Sequence, residues 1–268
     1  MNSYLRALSF LTIIPLPFVR FSSDGRELSN SASSFPLAGA TIGLLIAALA
    51  WILLQIFPPL PVVLIALLAG FFLTRGLHFD GLADTADGLI GTISREKAFK
   101  AMEDSAIGVM GTAALLFVYL LKIALLAELG FFVLPFGLLL MPFAGRWAIV
   151  FAGAWFPPAR DRGLGDLFLR NLRWPVLLKA SLGAALLLAL FAWWQAMLAV
   201  AAVSGCLVAL GAAYLLTLYA SRRLGGISGD ILGAASEIGE LFFLVGFYLV
   251  LQHSGAAELL AKVVILGV

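Results

Sequence analysis

The chain has 268 residues, of which 62% are hydrophobic and only 12% charged, and its mean hydropathy is +1.06. Soluble globular domains carry about 25% charged residues, so this composition excludes one and requires a lipid environment. A net charge of +2 says little by itself, no nucleic-acid partner is expected, and a single cysteine, Cys206, rules out an intramolecular disulfide or a cysteine metal site.

In chain order, the apolar run Ala7 to Leu16 has one basic residue ahead of it, Arg6, and ends in Pro15 and Pro17. Without a small-residue cleavage site it does not read as a signal peptide. Residues 1–35 are expected to form an interfacial or re-entrant element, an apolar hairpin followed by a serine-rich polar stretch. Apolar runs of the length needed to span a membrane, about 20 residues, follow near 36–56, 61–79, 108–128, 134–155, 175–193, 196–219 and 235–252. The expected fold class is therefore all-α, a polytopic transmembrane helical bundle of about seven spans forming one domain over 1–268. Trp155, Trp174, Trp193 and Trp194 lie near span ends, as interfacial aromatic residues do.

The connections alternate in charge. Those around Phe57 to Leu60, Glu128 to Phe132 and Trp194 contain no lysine or arginine. The others carry Arg6, Arg20 and Arg26; Arg95, Lys97 and Lys100; Arg160, Arg162, Arg170 and Arg173; and Arg222 and Arg223. The positive-inside rule places the N-terminus and the loops 80–105, 157–174 and 220–230 in the cytoplasm.

Acidic residues are not spread evenly. Of fifteen, Asp80, Asp84, Asp87, Glu103 and Asp104 fall in one segment, and Asp230, Glu237 and Glu240 in another. On a helix, spacings of four and seven put Asp80, Asp84 and Asp87 within about 60° of one another. Like charges on one face repel, and ionised groups near hydrocarbon cost several kcal/mol unless compensated. With no cysteine in either segment and His78 the one histidine there, a hard cation on oxygen ligands, Mg²⁺ or Mn²⁺, suits Asp80, Asp84 and Asp87, while Glu103 and Asp104 are also open to reading as a solvated helix face. Both segments begin from the same side, so they can meet. Arg146, inside a span, is either a phosphate ligand or a partner for one of the acids. Gly163 and Gly165 suggest a tight turn able to cradle phosphate, and Ser228 or Asp230 can cap the last helix.

The motifs His78-Phe-Asp-Gly-Leu-Ala-Asp-Thr-Ala-Asp-Gly88, Met102-Glu-Asp-Ser-Ala-Ile-Gly108, Gly163-Leu-Gly-Asp-Leu-Phe168 and Gly225-Gly-Ile-Ser-Gly-Asp-Ile-Leu-Gly-Ala-Ala-Ser-Glu-Ile-Gly-Glu240 closely resemble the cobalamin synthase family, the adenosylcobinamide-GDP ribazoletransferases. Phe10-Leu-Thr-Ile-Ile-Pro-Leu-Pro17 and Phe35-Pro-Leu-Ala-Gly39 are similar as well, so the likeness runs in order to about Val250. The resemblance implies a multi-pass enzyme of a bacterial or archaeal inner membrane, with its active site facing the cytoplasm. It would join adenosylcobinamide-GDP to α-ribazole or its 5′-phosphate, releasing GMP and using Mg²⁺. It implies catalytic roles for Asp80, Asp84, Asp87, Asp104, Glu237 and Glu240, with Asp80, Asp84, Asp87 and Asp104 as metal ligands or their immediate surroundings and Glu237 or Glu240 nearest the attacking hydroxyl. It also implies substrate contacts from His78, Ser105, Arg146, Gly163, Gly165, Ser228 and Asp230. Membrane lipid is the expected surrounding partner, and oligomeric state is left open.

Four positions depart from the family pattern. Glu103 stands where a basic residue is usual, Ala106 and Ile13 where arginine is, and Ser228 where threonine is. Phosphate contacts there would pass to Arg95, Lys97, Lys100 or Arg146. Asp84-Thr-Ala-Asp87-Gly88 also satisfies the DxxDG element of CDP-alcohol phosphotransferases, but that family's following AR and GxxxDxxxD elements are absent. A cation transporter is a weaker alternative, since transport sites lie near the midplane and these acids lie at helix ends.

Overall fold

The computed structural model describes residues 3–16, 18–19, 25–160 and 163–254; Pro17, Arg20, Arg162 and the tail beyond Ser254 lie outside the described residues. The described chain folds into helices throughout, with no strand among the described residues. They are α1 (Ser3–Leu11), α2 (Arg26–Ser31), α3 (Phe35–Leu53), α4 (Pro59–Thr74), α5 (Leu77–Leu89), α6 (Arg95–Met102), α7 (Val109–Glu128), α8 (Gly130–Gly153), α9 (Leu164–Asn171), α10 (Trp174–Trp194), α11 (Ala196–Leu224) and α12 (Gly229–Ser254).

Among the described residues six helices are long and apolar enough to cross a membrane alone, those containing α3, α7, α8, α10, α11 and α12. The run expected to continue through residue 79 stops earlier, because Arg75 and Gly76 both adopt left-handed backbone angles, φ 57° and 64°. The helix therefore breaks, and α5 leaves α4 at 90°. Two consecutive left-handed residues cannot continue a right-handed helix. The segment 80–105 is thus largely helical, α5 and α6, where a loop was expected.

Small residues set the closeness of the packing. Gly39 and Gly43 bring α3 against the α8 backbone at Pro142 and Leu139, the close approach that a GxxxG spacing allows when apolar attraction between helices is absent. Gly145 on α8 admits Ser236 and Glu240 of α12, and Gly205 on α11 admits Phe243. Central helix α8 and polar-headed α12 are mostly buried, whereas the described faces of α7 and α10 are mostly exposed to the surroundings.

The N-terminal segment is packed rather than loose. Ala7, Leu8 and Leu11 of α1 and Leu28 of α2 are buried in one apolar cluster with Phe35, Phe168 and Leu172. Ser29 Oγ donates to the Phe168 carbonyl at 2.9 Å, tying α2 to α9. At the same end, the Ala159 and Ile227 amides donate to the Ile227 and Pro157 carbonyls at 2.8 and 2.9 Å. Arg95 Nη2 donates to the Ala159 carbonyl at 3.0 Å, and Arg223 reaches the Thr92 carbonyl. These hydrogen bonds tie the described connections before α6, after α8 and before α12 together at one end.

Candidate active site

Helix α5 runs from Gly76 with its small residues turned toward α12. A Cβ on Gly81 would lie 2.7 Å from the Asp230 carbonyl oxygen and 3.2 Å from the Gly233 Cα. Glycine at 81 and 233 therefore lets two acid-bearing helices touch by their backbones. This contact brings Asp80 and Asp84 beside Asp230, residues separated by some 150 positions in sequence. Burial first, then the charges of Asp80, Asp230 and Asp87, push the Asp84 carboxyl up to about 7. Helix α5 lies outside the six spans, so water still reaches this carboxylate group.

The four aspartates expected as one ligand set are not gathered in one cavity: Asp80 lines one, Asp87 and Asp104 line another, and Asp84 lines neither. Asp80 and Asp230, with His78, Gly165 and Gly229, line a cavity of about 220 Å³. Asp87 and Asp104 line another of about 360 Å³, together with Thr92 and Ala106. Asp87 is turned onto the start of α7, accepting from the Gly108 amide at 2.7 Å (Oδ2) and the Gly111 amide at 2.8 Å (Oδ1). Asp104 is exposed and accepts from the Ala106 amide at 3.0 Å; Ser105 beside it is exposed too. Among the described residues no three histidine, cysteine or acidic side chains are grouped closely enough to hold a metal ion by themselves. The charge nevertheless suits a cation. Mg²⁺ is commonly held by one or two carboxylates plus substrate phosphates rather than by a protein cage, and Asp80 and Asp84, one turn apart and repelling, provide such a pair.

Glu237 and Glu240 lie deeper. Lys122 Nζ stands 2.6 Å from Glu237 Oε2 and 2.7 Å from Glu240 Oε2, and Arg146 pairs with Glu240 Oε1. All four side chains are buried, and the cavity that Arg146, Glu237 and Glu240 border holds only about 30 Å³, room for a water or two. Their charges cancel, two against two, as burial inside a membrane demands. Of the two roles open to Arg146, the structure places it as partner to an acid. Lys122 was missed because its span reads as uniformly apolar; a lysine at mid-span is itself the signal that an acid must face it.

The remaining expected contacts have local explanations. Ser228 Oγ donates to Asp230 Oδ2 at 3.3 Å and accepts from the Ile231 amide at 3.4 Å, capping α12. Gly163 holds a left-handed φ of 97°, and Gly165 packs on Gly229, where a Cβ would meet its Cα at 2.7 Å. Glu103, standing where a basic residue was expected, pairs with Arg160, whose guanidinium lies 4.2 Å from the Phe99 ring centre. Arg95 is taken up by the Ala159 carbonyl.

Against this geometry, the comparisons with known proteins agree with one another. An adenosylcobinamide-GDP ribazoletransferase of Desulfitobacterium hafniense (strain Y51) is 35% identical over 248 residues, covering 90% of this chain and 94% of the relative. That of Roseiflexus sp. (strain RS-1) is 40% identical over 242 residues, 89% and 86% of the two chains, and that of Chlorobaculum parvum 36% over 246, 90% and 92%. No solved structure matches. The profile of one family, cobalamin-5-phosphate synthase, matches residues 3–248, and the chain belongs to that family.

Proposed function

We propose that this protein is an adenosylcobinamide-GDP ribazoletransferase, closing the nucleotide loop of coenzyme B12 by joining adenosylcobinamide-GDP to α-ribazole or its 5′-phosphate. The observation that carries the reading is the meeting of α5 and α12, which sets Asp80 and Asp230 on the wall of one cleft, with Asp84 close enough to feel both charges, at the polar end of a membrane bundle. The family match over residues 3–248 supplies the reaction class.

In the reaction the ribose 3′-hydroxyl oxygen of α-ribazole attacks the phosphorus attached to cobinamide. A new P–O bond forms, the bridging P–O bond of the pyrophosphate breaks, and GMP leaves with the bridging oxygen. Such a displacement needs the nucleophile held in line and its proton accepted. Asp230, on the wall of the 220 Å³ cavity, is assigned the proton. Asp80 and Asp84 are assigned to hold a Mg²⁺, which when bound would neutralise the charge developing on the phosphate of the departing GMP. Glu237 and Glu240 are assigned a supporting role, since the ion pairs with Lys122 and Arg146 occupy their oxygens.

The cleft is assigned to the cytoplasmic face of a bacterial or archaeal inner membrane, because the basic residues Arg95, Lys97, Lys100, Arg160, Arg222 and Arg223 share its end. The test is incubation of the detergent-purified protein with adenosylcobinamide-GDP and α-ribazole 5′-phosphate, with Mg²⁺ or with excess chelator. The expected result is GMP and a cobalamin product in the first case and neither in the second. GMP formation unaffected by the chelator would remove the metal assignment, and no product from folded protein would remove the reaction.

A further inference from the structure

The cavity beside Asp80 and Asp230 has a second, unexplained wall. Phe10 of α1, Phe35 at the start of α3 and Phe168 of α9 form a tier of nearly parallel rings, with centroids 6.1 and 5.8 Å apart and planes 12° and 10° from parallel. All three border the same cavity. They come from three separate elements, so the tier is assembled by the docking of α1 and α9 onto the bundle. Native interiors contain few voids larger than a water molecule, yet this one measures about 220 Å³. An apolar cavity of about 150 Å³ holds a benzene ring, so 220 Å³ has room for a fused two-ring base.

The polar side chains of the lining are those of His78, Asp80 and Asp230. His78 is 5% exposed, and its Nδ1 is sealed without a hydrogen-bond partner. That leaves Nε2 as the edge this imidazole can offer a ligand. Guanine fits poorly here. Its several donors and acceptors each need a partner when buried, and aromatic and aliphatic carbon makes up most of the wall. A methylated benzimidazole presents mostly carbon and one exposed ring nitrogen.

We infer that this cavity, walled by Phe10, Phe35 and Phe168, is the subsite for the aromatic base of α-ribazole, with its ribose directed toward Asp80 and Asp230. The inference rests on the transferase reading above. It divides the labour of the cleft: the rings select the nucleoside by stacking, and the carboxylates handle its hydroxyl. Base stacking on aromatic side chains is worth about 1–3 kcal/mol per base, which corresponds to roughly a 5- to 150-fold change in binding.

The experiment is equilibrium dialysis of α-ribazole alone against the full-length protein in detergent micelles, for wild type, Phe168→Leu, Phe10→Leu and His78→Gln. GMP release and the KM for adenosylcobinamide-GDP are measured in parallel. The expected result is at least a fivefold loss of α-ribazole binding in both phenylalanine variants and a smaller loss in His78→Gln, with the KM for adenosylcobinamide-GDP within twofold of wild type, which also certifies the fold. Wild-type affinity in all variants, or no binding by wild type, overturns the subsite. A rise confined to the KM for adenosylcobinamide-GDP overturns it too and gives the cavity to guanine. Failure of GMP release, with α-ribazole binding lost as expected in variants whose melting temperature matches wild type, keeps the subsite and removes only the reaction.

Discussion

At the scale of single residues, Asp84 reports the state of the cleft. Its carboxyl is raised to about 7 from an ordinary 3.8, first by burial and then by Asp80, Asp230 and Asp87. The folded protein therefore keeps a proton on Asp84 that the unfolded chain has already released, so stability falls as pH rises from about 4 to about 7 and is level above that. In Mg²⁺-free micelles the melting temperature is expected to drop between pH 5 and pH 8, and the drop is expected to be smaller in Asp84→Asn. Equal slopes in the two proteins would separate Asp84 from this effect. Asp87, three residues on, is held elsewhere: its two oxygens accept from the amides of Gly108 and Gly111, and the helix start that holds it carries favourable partial positive charge. Spacing alone put Asp80, Asp84 and Asp87 on one face. It did not show that one of them turns away to a neighbouring helix, because that depends on where α7 begins in space.

At the scale of elements, two contacts organise the site. The first is the touching of α5 and α12 at Gly81. Gly81→Ala adds a Cβ that would lie 2.7 Å from a backbone oxygen, forcing the helices apart and moving Asp80 and Asp84 away from Asp230. Misplacement of about 1 Å can cost about 100-fold in rate, so kcat is expected to fall by about that factor while the protein still folds; unchanged kcat would free the chemistry from this packing. The second contact is the Lys122, Glu237, Glu240 and Arg146 quartet joining α7, α8 and α12. Lys122→Met leaves buried negative charge uncompensated, and removing one partner of a buried pair costs about 3–5 kcal/mol. A lower melting temperature is expected, with partial recovery in Lys122→Met combined with Glu237→Gln. A double variant as unstable as the single one would show that charge balance is not the cause. Two acids three apart on a predicted helix were visible in the sequence. Of their partners, Arg146 was one of two readings the sequence left open and Lys122 was missed, since α7 and α8 approach α12 only through tertiary packing.

At the scale of the whole molecule, hydropathy and charge alternation were enough to outline the bundle: the apolar runs coincide with α3, α4, α7, α8, α10, α11 and α12 to within several residues. The right-angled turn at Arg75 and Gly76 was hidden, because a non-glycine residue in left-handed conformation leaves no mark in composition. Nor did periodicity foresee the ring tier, whose members are contributed by three distant segments. Orientation can be read chemically, since the one native cysteine, Cys206, is buried. Cysteines placed at Lys97 and at Glu128, both exposed and at opposite ends, are expected to react with an impermeant maleimide in inverted and in right-side-out vesicles respectively; the reverse pattern would turn the molecule over. The neutral quartet beneath the cleft has a vectorial consequence. With the deeper cavity reduced to about 30 Å³, reactants enter and products depart on one side, no net charge moves through the bundle, and catalysis should proceed at the same rate in energised and de-energised vesicles.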